Sequence, residues 1–519
     1  MVQITSLFPV AKHRAKWVRR IAGRKLHQAA SIAILAIVWL QLCVPIRTTT
    51  AAQPNVVVIV ADDLGWNAVG YHNADVQTPH LDQLCREGIE LDNFYVSPMC
   101  SPTRAGLLTG RYPIRFGMAR AVVPPWRDFG LPTDEATLAD ALGQAGYQRR
   151  GAFGKWHLGH ARKKWLPLQR GFTHFTGCFN GAIDYFTLQR DGELDWHHGN
   201  DSAPAGTVTD QTYATTQIGD AATQFIRESA ELESPFFCYV PFNAPHSPFQ
   251  APDDAVDQYR HIKNQNKRVY YAMITQMDKQ IGRILKTIDD VGVRNNTMVW
   301  FLSDNGGVGS IPGNNRPLHG SKLTTFEGGV RAVACVRFPA RYPGGRKISQ
   351  RTAFIDVMPT VIAAADPIAP STIAADRFND KTLDGIDLNP IFAGTAKHLP
   401  ARDLYFYHGQ SGEDKEPIAA ISPPWKLVVV GPNIAGTNIA GTAADAIASS
   451  SEHQISLFHI DDDPNETVNV ADQNPAVVRS ILNRMVTFRG LQPTHSIPRY
   501  SDDKQGFTPP DRWSVFRED

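Results

Sequence analysis

Cysteine is scarce in this chain, with six residues in 519, at positions 43, 85, 100, 178, 238 and 335. No pair shows C-x-x-C spacing, so nothing supports zinc or iron–sulfur ligation. Setting aside Cys43 and Cys100, the other four are too scattered for a disulfide framework and read as small buried apolar side chains. Acidic residues are missing altogether before Asp62, whereas residues 1–52 carry eight Lys and Arg. The remainder holds 44 Lys and Arg against 51 Asp and Glu and contains no basic tract. That balance argues against nucleic acid as a partner. Beyond the first fifty or so positions no apolar run approaches the length of a membrane span.

The basic amino terminus has a use of its own. Seven Lys and Arg lie between Lys12 and Lys25, an apolar run follows from Ala29 to Val44, and Thr50-Ala51-Ala52 comes next. This is the layout of an export signal ending in small residues, with Gln53 as the expected mature start. The alternative is an uncleaved membrane anchor, for which the run is short. Either way the expected location is periplasmic or extracellular, with the leader as the sole membrane contact.

A composition of 42% hydrophobic and 20% charged residues suits a soluble globular body. Several short apolar runs lack the alternation of a half-exposed sheet and read as buried parallel strands. They are Val56–Val60, Phe236–Val240, Met298–Leu302 and a weaker run at Ala152-Phe153, and Val330–Phe338 reads as another. Helical patterns fall between them: one opens with Thr78 as cap and Pro79 in its first turn and ends at Gly88, and others run over Thr133 to Gly146, Tyr213 to Glu231 and Val269 to Val291. The alternation predicts an α/β fold built on a large, doubly wound, mostly parallel sheet. After residue 400 the texture changes. Leu404–His408 and Trp425–Val430 read as strands, Ile434–Thr437 is nearly repeated as Ile439–Thr442, and Val477–Phe488 reads as a helix before a polar, proline-bearing extended tail. The expected division is therefore a leader (1–52), a catalytic domain (53–400) and a smaller C-terminal part with an antiparallel sheet, a helix and the tail (401–519).

In doubly wound sheets, ligands bind beyond the carboxyl ends of the strands. Asp62 and Asp63 follow one apolar run directly, and Asp304 and Asn305 follow another. Either pair alone reads as a strand-ending turn, which Asp, Asn and Gly favour. On neighbouring strands the four would converge, and three carboxylates together call for a hard divalent cation. Oxygen ligands without imidazole or thiolate favour calcium, then magnesium. In Cys100-Ser101-Pro102-Thr103-Arg104 the proline suits a first helical turn, which places Cys100 at a helix amino terminus where the dipole favours an anion. Arg104 falls one turn along on the same face. His72, Asp184 and Tyr185 lie in plausible pocket loops, where a structural role is the commoner outcome.

Cys100-x-Pro102-x-Arg104, continued by Leu108-Thr109-Gly110-Arg111, resembles the signature of the formylglycine-dependent, or type I, sulfatases. The resemblance extends to Asp62-Asp63-Leu64-Gly65, to Gly154-Lys155-Trp156-His157-Leu158-Gly159 and to His246 after the middle strand. Asp304-Asn305-Gly306 and Lys322, ahead of Glu327-Gly328-Gly329-Val330-Arg331, match it too. It runs from Pro54 to Ala471, where Asp461-Asp462-Asp463-Pro464-Asn465-Glu466 is similar to a late turn of the family. Gly313–Lys322 and Leu166–Phe172 resemble the arylsulfatase B branch, which includes N-acetylgalactosamine-4-sulfatase. Arg316, His319 and Ser321 depart from that branch beside Lys322, so its sugar specificity does not carry over.

The resemblance implies an alkaline-phosphatase-like fold and a Cys100 oxidised to formylglycine by a generating enzyme that acts on the unfolded chain. It implies Ca2+, with Mg2+ second, held by Asp62, Asp63, the modified Cys100, Asp304 and Asn305. Of the two hydroxyls of the aldehyde hydrate, one attacks sulfur and displaces the alcohol. The other then expels sulfate and restores the aldehyde. Lys155, His246 and Lys322 would bind the sulfate group, and Arg104 would orient the hydrate. Asp304 would serve as base, His246 as acid for the leaving oxygen, and His157 would assist the second step. The expected substrate is a sulfated carbohydrate. One alternative is a phosphonate or phosphate monoesterase of the same superfold, against which Asn305 stands where a histidine is expected. The other is a catalytically silent carbohydrate-binding relative, against which the intact Cys100, Arg104, Lys155 and Lys322 stand.

Overall fold

The computed structural model describes residues 52–517 apart from 205, 233, 367–380, 437–446, 449 and 515. Residues 1–51 of the expected leader and, in the near-repeat, Thr437 and Ile439–Thr442 lie outside the described residues. Ten strands make the main sheet: β1 (Asn55–Ala61), β2 (Ile89–Leu91), β3 (Arg149–Lys155), β4 (His174–Cys178), β5 (His197–His198), β6 (Asp201–Ser202), β7 (Phe236–Pro241), β8 (Thr297–Ser303), β9 (Ala334–Arg337) and β10 (Arg346–Ile348). Their order is β10-β2-β9-β8-β1-β7-β3-β4-β5-β6. The central five, β8-β1-β7-β3-β4, are all parallel.

Strand β1 shows why the sheet must be covered on both faces. Every residue of Asn55–Ala61 is buried. Val56, Val58 and Val60 enter one apolar core, while Val57 and Ile59 enter the other. Helices α1 (Pro79–Glu87), α2 (Cys100–Thr109), α3 (Ala214–Ala230), α4 (Gln265–Asp290) and α5 (Val357–Ala365) connect or cover the strands. Ile274, Met277, Ile281 and Ile288 of α4 pack into the same core as Val57, and Val361 of α5 packs into the core of Val56. A run apolar at every position therefore becomes a strand sandwiched between helices, the doubly wound arrangement.

Several elements differ from the sequence reading, each for a local reason. Helix α1 begins at Pro79 as expected, but the Thr78 side chain does not cap it. Asp278, from α4, instead accepts hydrogen bonds from the amides of His80 (3.1 Å) and Leu81 (2.8 Å). Burial pushes the Asp278 carboxyl up to about 7, against the lowering by those two N–H groups. The expected helix over Thr133–Gly146 is confined to Leu138–Gln144, because Thr137 and Asp140 form a capping box that fixes its start. Helix α4 starts before Val269, because the Asn264 side chain accepts from the amide of Lys267. Val330–Phe338 is not one strand. Val330 closes a helical turn, Arg331-Ala332 pairs with Phe94-Tyr95, and only Ala334–Arg337 joins β8, antiparallel.

The C-terminal strands β11 (Leu404–Tyr407), β12 (Glu416–Ser422), β13 (Trp425–Gly431) and β14 (Gln454–His459) form an antiparallel sheet in that order, with helix α6 (Pro475–Arg489) following. A fully buried lysine joins this sheet to the larger one. Lys426 Nζ lies 2.8 Å from both Glu327 Oε1 and Glu466 Oε1, and Glu466 Oε2 accepts from the amide of Glu327 at 2.7 Å. The turn at Glu327 is thus clamped from behind, and its Gly329 carbonyl accepts from the amide of Gly306 at 3.0 Å, beside Asp304 and Asn305. The described residues from Gln53 onward cluster as one compact unit.

The tail is extended but not loose. Ile497 and Trp513 are buried, and the Trp126 indole donates to the carbonyl of Asp502 at 2.9 Å. Aromatic side chains in a polar stretch give it something to bury. Cys85, Cys178, Cys238 and Cys335 are all buried and free. Among the described residues, no helix is long and apolar enough to cross a membrane.

Candidate active site

The parallel strands end on one side of the sheet, and chemically active residues follow them there. β1 delivers Asp62 and Asp63, β8 delivers Asp304 and Asn305, and β3 ends on Lys155 two residues before His157. β7 leads to His246, α2 opens with Cys100, and Lys322 comes from the long loop after Asn305. The register pairs Ala61 with Ser303, and the Asp304 amide donates to the carbonyl of Ala61 at 3.0 Å, which sets the two acidic pairs side by side. Asp63 and His157 hold backbone φ values of 65° and 58°. Non-glycine residues rarely adopt that region, at about 1–3 kcal/mol each, and such strain collects at functional sites.

The buried charges alternate in sign. Arg104 donates to Asp304 Oδ2 through Nε at 2.9 Å and to the carbonyl of Lys155 through Nη1 at 2.9 Å. Its Nη2 lies 2.8 Å from Asp304 Oδ2 and 3.7 Å from Asp62 Oδ2. The Lys155 ammonium contacts Asp62 and is fully buried with it. Lys322 Nζ lies 2.6 Å from Asp63 Oδ1, and Asn305 Nδ2 donates to that same oxygen at 2.7 Å. His246 Nε2 stands 3.6 Å from Asp63 Oδ2, and its Nδ1 lies 2.6 Å from the carbonyl of Ser247. Cys100 Sγ is 3.4 Å from Asp62 Oδ1. The structure thus brings Asp62, Asp63, Cys100, Arg104, Lys155, His246, Asp304, Asn305 and Lys322 into one connected cluster, with His157 facing the same pocket.

The protonation states follow from this crowding. Burial and the charge of Asp62 push the Cys100 thiol up, so at neutral pH it is a protonated thiol and a poor nucleophile. Burial and Asp62 raise Asp304 to about 6, with Arg104 and Lys155 opposing. Burial also tends to raise Asp63, but Lys322 and His246 outweigh it and hold that carboxyl below its usual range. His246 is lowered to about 3 by burial, with Lys322 and Lys155 adding to the effect and Asp63 opposing it. His157 is held well below its ordinary value by burial, Lys155 and Arg104. Both imidazoles are therefore neutral at rest.

Asp62, Asp63, Cys100 and His246 bring one ligand atom each within 4.8 Å of one another. Two further oxygens are relevant. Asp63 Oδ2 and Asn305 Oδ1 are buried and receive no hydrogen bond among the described residues. Unsatisfied oxygen atoms among three buried carboxylates fit a hard divalent cation. Asp304 stands nearby with one oxygen engaged by Arg104 and the other accepting from the amide of Asp63 at 3.3 Å.

The thiol opens into a pocket of about 220 Å³ whose walls include Cys100, His157, His246 and Lys322. Gly181 lies against His157, and a Cβ there would fall 2.4 Å from the ring, so the close approach requires glycine. Ser101 joins the helix start to this wall by donating to the carbonyl of His157 at 2.8 Å and accepting from the amide of Val123 at 3.1 Å. The three loop candidates are structural. Tyr185 Oη lies 2.7 Å from the carbonyl of Asn243 and 2.9 Å from that of His246, and so steadies the histidine's loop. Asp184 accepts from the amides of Phe186 and Thr187, and His72 bonds the carbonyl of Trp66 and the carboxylate of Glu90. Sequence reading missed Arg190, Gln410 and Tyr500, which complete the pocket from remote parts of the chain. Only Arg190 carried a usable signal, the Asp191-Gly192 pair that marks a tight hairpin.

Comparisons with known proteins identify a family for the chain. The chain is 32% identical over 466 residues to arylsulfatase J of Mus musculus, covering 85% of this chain and 76% of that protein. It is 31% identical over 442 residues to N-acetylgalactosamine-6-sulfatase of Canis lupus familiaris, covering 80% and 81%. The crystal structure of Ps i-CgsB in complex with k-i-k-neocarrahexaose superposes with a TM-score of 0.72 at 27% identity, over 85% of this chain and 94% of that one. These neighbours share the alkaline-phosphatase-like sheet. The sulfatase family profile matches residues 54–367, more than half of the chain, and with these relatives it establishes that the protein belongs to the formylglycine-dependent type I sulfatases and is a sulfatase.

Proposed function

We propose that this sulfatase removes sulfate from an exported or extracellular sulfated carbohydrate, using a formylglycine made from Cys100 and a calcium ion. The observation that carries the reading is the cluster itself. A thiol too basic to act as a nucleophile sits at a helix amino terminus, ringed by three buried carboxylates, two ammonium groups and two imidazoles. Such a thiol is protonated at neutral pH and a poor nucleophile as it stands. A residue at the same place bearing hydroxyls would have Asp304 as base, Arg104 to orient it, and Lys155 and Lys322 to bind the anion. The carbohydrate substrate is consistent with the amino-sugar sulfatase and the oligosaccharide complex among the relatives. The departures at Arg316, His319 and Ser321 leave the choice of sugar to this chain's own loops.

The chain's residues divide the work as follows. Asp62, Asp63, Asp304 and Asn305, with residue 100, would hold the cation. When bound, it lowers the pKa of the attacking hydroxyl and polarises a sulfuryl oxygen. Arg104 fixes Asp304 and compensates the acidic charge beneath residue 100. Lys322, on the pocket wall, and Lys155, buried behind Asp62, stabilise the charge that grows on the sulfate oxygens. Asp304, raised to about 6, would take a proton from residue 100. His246 stands at the pocket wall to protonate the departing alcohol oxygen, its basicity rising as an anionic group arrives beside it. His157 faces the same pocket and serves the second step. The formylglycine-generating enzyme is the partner required before folding, and the basic leader fits export to the periplasm or beyond.

The test is turnover by protein co-expressed with the modifying enzyme. 4-nitrophenyl sulfate is expected to be hydrolysed in calcium, activity to vanish on chelation, and calcium to restore it. Faster turnover of an aryl phosphonate than of the aryl sulfate would favour the monoesterase alternative and overturn the reading. A fully modified chain with no hydrolysis would favour the silent relative.

A further inference from the structure

We infer that Arg190 is a specificity-determining residue that recognises a second anionic group on the substrate, a sulfate or a carboxylate next to the ester being cleaved, and that the C-terminal tail holds it in place. The inference rests on the sulfated-carbohydrate reading above and names the kind of sugar that fits.

Arg190 lines the same pocket as Cys100, His246 and Lys322, and among the described residues no carboxylate lines that pocket. Its two pocket cations are not equivalent. Lys322 is committed to Asp63 at 2.6 Å. Arg190 makes only a 3.3 Å contact through Nε with its exposed neighbour Asp191, and neither Nη has an acceptor among the described residues. A half-buried guanidinium with its fork free is suited to bidentate capture of a carboxylate or sulfate.

The presentation is rigid. Gln189-Arg190 and Glu193-Leu194 form a two-stranded hairpin. Asp191 and Gly192 at its tip have φ values of 52° and 88°, as a type I′ turn requires. The tail then pins it. The Trp513 indole donates to the carbonyl of Arg190 at 2.9 Å, and the Arg512 amide donates to Glu193 Oε2 at 3.0 Å. Ser202 Oγ donates to the carbonyl of Arg512 at 2.9 Å, tying the same tail segment to the edge of the main sheet. Tyr500, from the same tail, forms another pocket wall. Trp513 is therefore a positioning residue, acting through Arg190.

The experiment is isothermal titration calorimetry on the full-length Cys100→Ser chain, in which bound sugars stay intact. The probes are galactose with one sulfate, galactose with two sulfates, and a sulfated galactose joined to a uronic acid. The doubly charged probes are expected to bind about tenfold more tightly than the monosulfate. Adding Arg190→Gln should bring that ratio close to one, Arg190→Lys should keep part of it, and Trp513→Phe, which keeps the ring but not the donor, should lower it. The arm with the larger ratio identifies sulfate or carboxylate as the second group. Equal affinity for all three probes, no binding of any, or a ratio unchanged by Arg190→Gln would overturn the inference. Turnover of 4-nitrophenyl sulfate by the wild-type enzyme separates the two readings. Without it both fall, and with it an unchanged ratio sinks this inference alone.

Discussion

Cys100→Ser is expected to yield a folded protein that binds sulfate esters but releases sulfate on the order of 10³-fold or more below wild type. Folding should survive because serine is slightly smaller than cysteine and position 100 starts a helix, where a hydroxyl is well tolerated. Binding should survive because Arg104, Lys155, His246 and Lys322 are untouched. Chemistry should fail because serine brings a single hydroxyl, so a sulfate transferred to it has no neighbouring hydroxyl to expel it. Steady-state and single-turnover release of 4-nitrophenol distinguish the possibilities. At most one equivalent should appear per chain, and sustained turnover near the wild-type rate would contradict the assignment.

Asp304→Asn should cost at least about 10²-fold in kcat, even in saturating calcium. Three features of this carboxylate matter here. It accepts from Arg104 through Oδ2, accepts the Asp63 amide through Oδ1, and is raised to about 6 by burial and Asp62. Asparagine keeps an acceptor for Arg104 but removes the basic oxygen and one charge of the cation cradle. Asp304→Ala should be worse in kind. It leaves a fully buried guanidinium with only Asp62, 3.7 Å away, as a charge partner, and breaking a buried pair this way costs about 3–5 kcal/mol. Kinetics of the Asn variant, with thermal unfolding of both, separate the catalytic loss from the structural one. An Asn variant within about threefold of wild type would remove Asp304 from the role of base.

The site was legible in the sequence because the fold writes it at predictable places. Asp62 and Asp304 come just after runs apolar on both faces, Lys155 ends a weaker run, and His246 follows in the loop after another, and a parallel sheet necessarily gathers the ends of such runs on one edge. Cys100 and Arg104 were legible through helix-start chemistry. What the sequence concealed depends on partners far along the chain. The cap of α1 comes from Asp278, about two hundred residues away, and Thr78 looked sufficient by itself. Lys426 lies within an apolar strand, and its buried place follows only from Glu327 and Glu466 closing on it. The tail read only as polar and extended because its polar residues outnumber Ile497 and Trp513, yet those two side chains seat it. Val330–Phe338 looked continuous because apolarity alone does not reveal a change of strand partner. Arg190 had a local signal in Asp191-Gly192, but its meaning came only when the pocket was assembled around it.

Mass spectrometry of the tryptic peptide Glu87–Arg104, from chain expressed with the formylglycine-generating enzyme, tests the central claim most directly. The account expects the mass of an aldehyde at position 100, in proportion to the specific activity of the preparation. An intact thiol in a preparation that turns over aryl sulfate at full rate would contradict it.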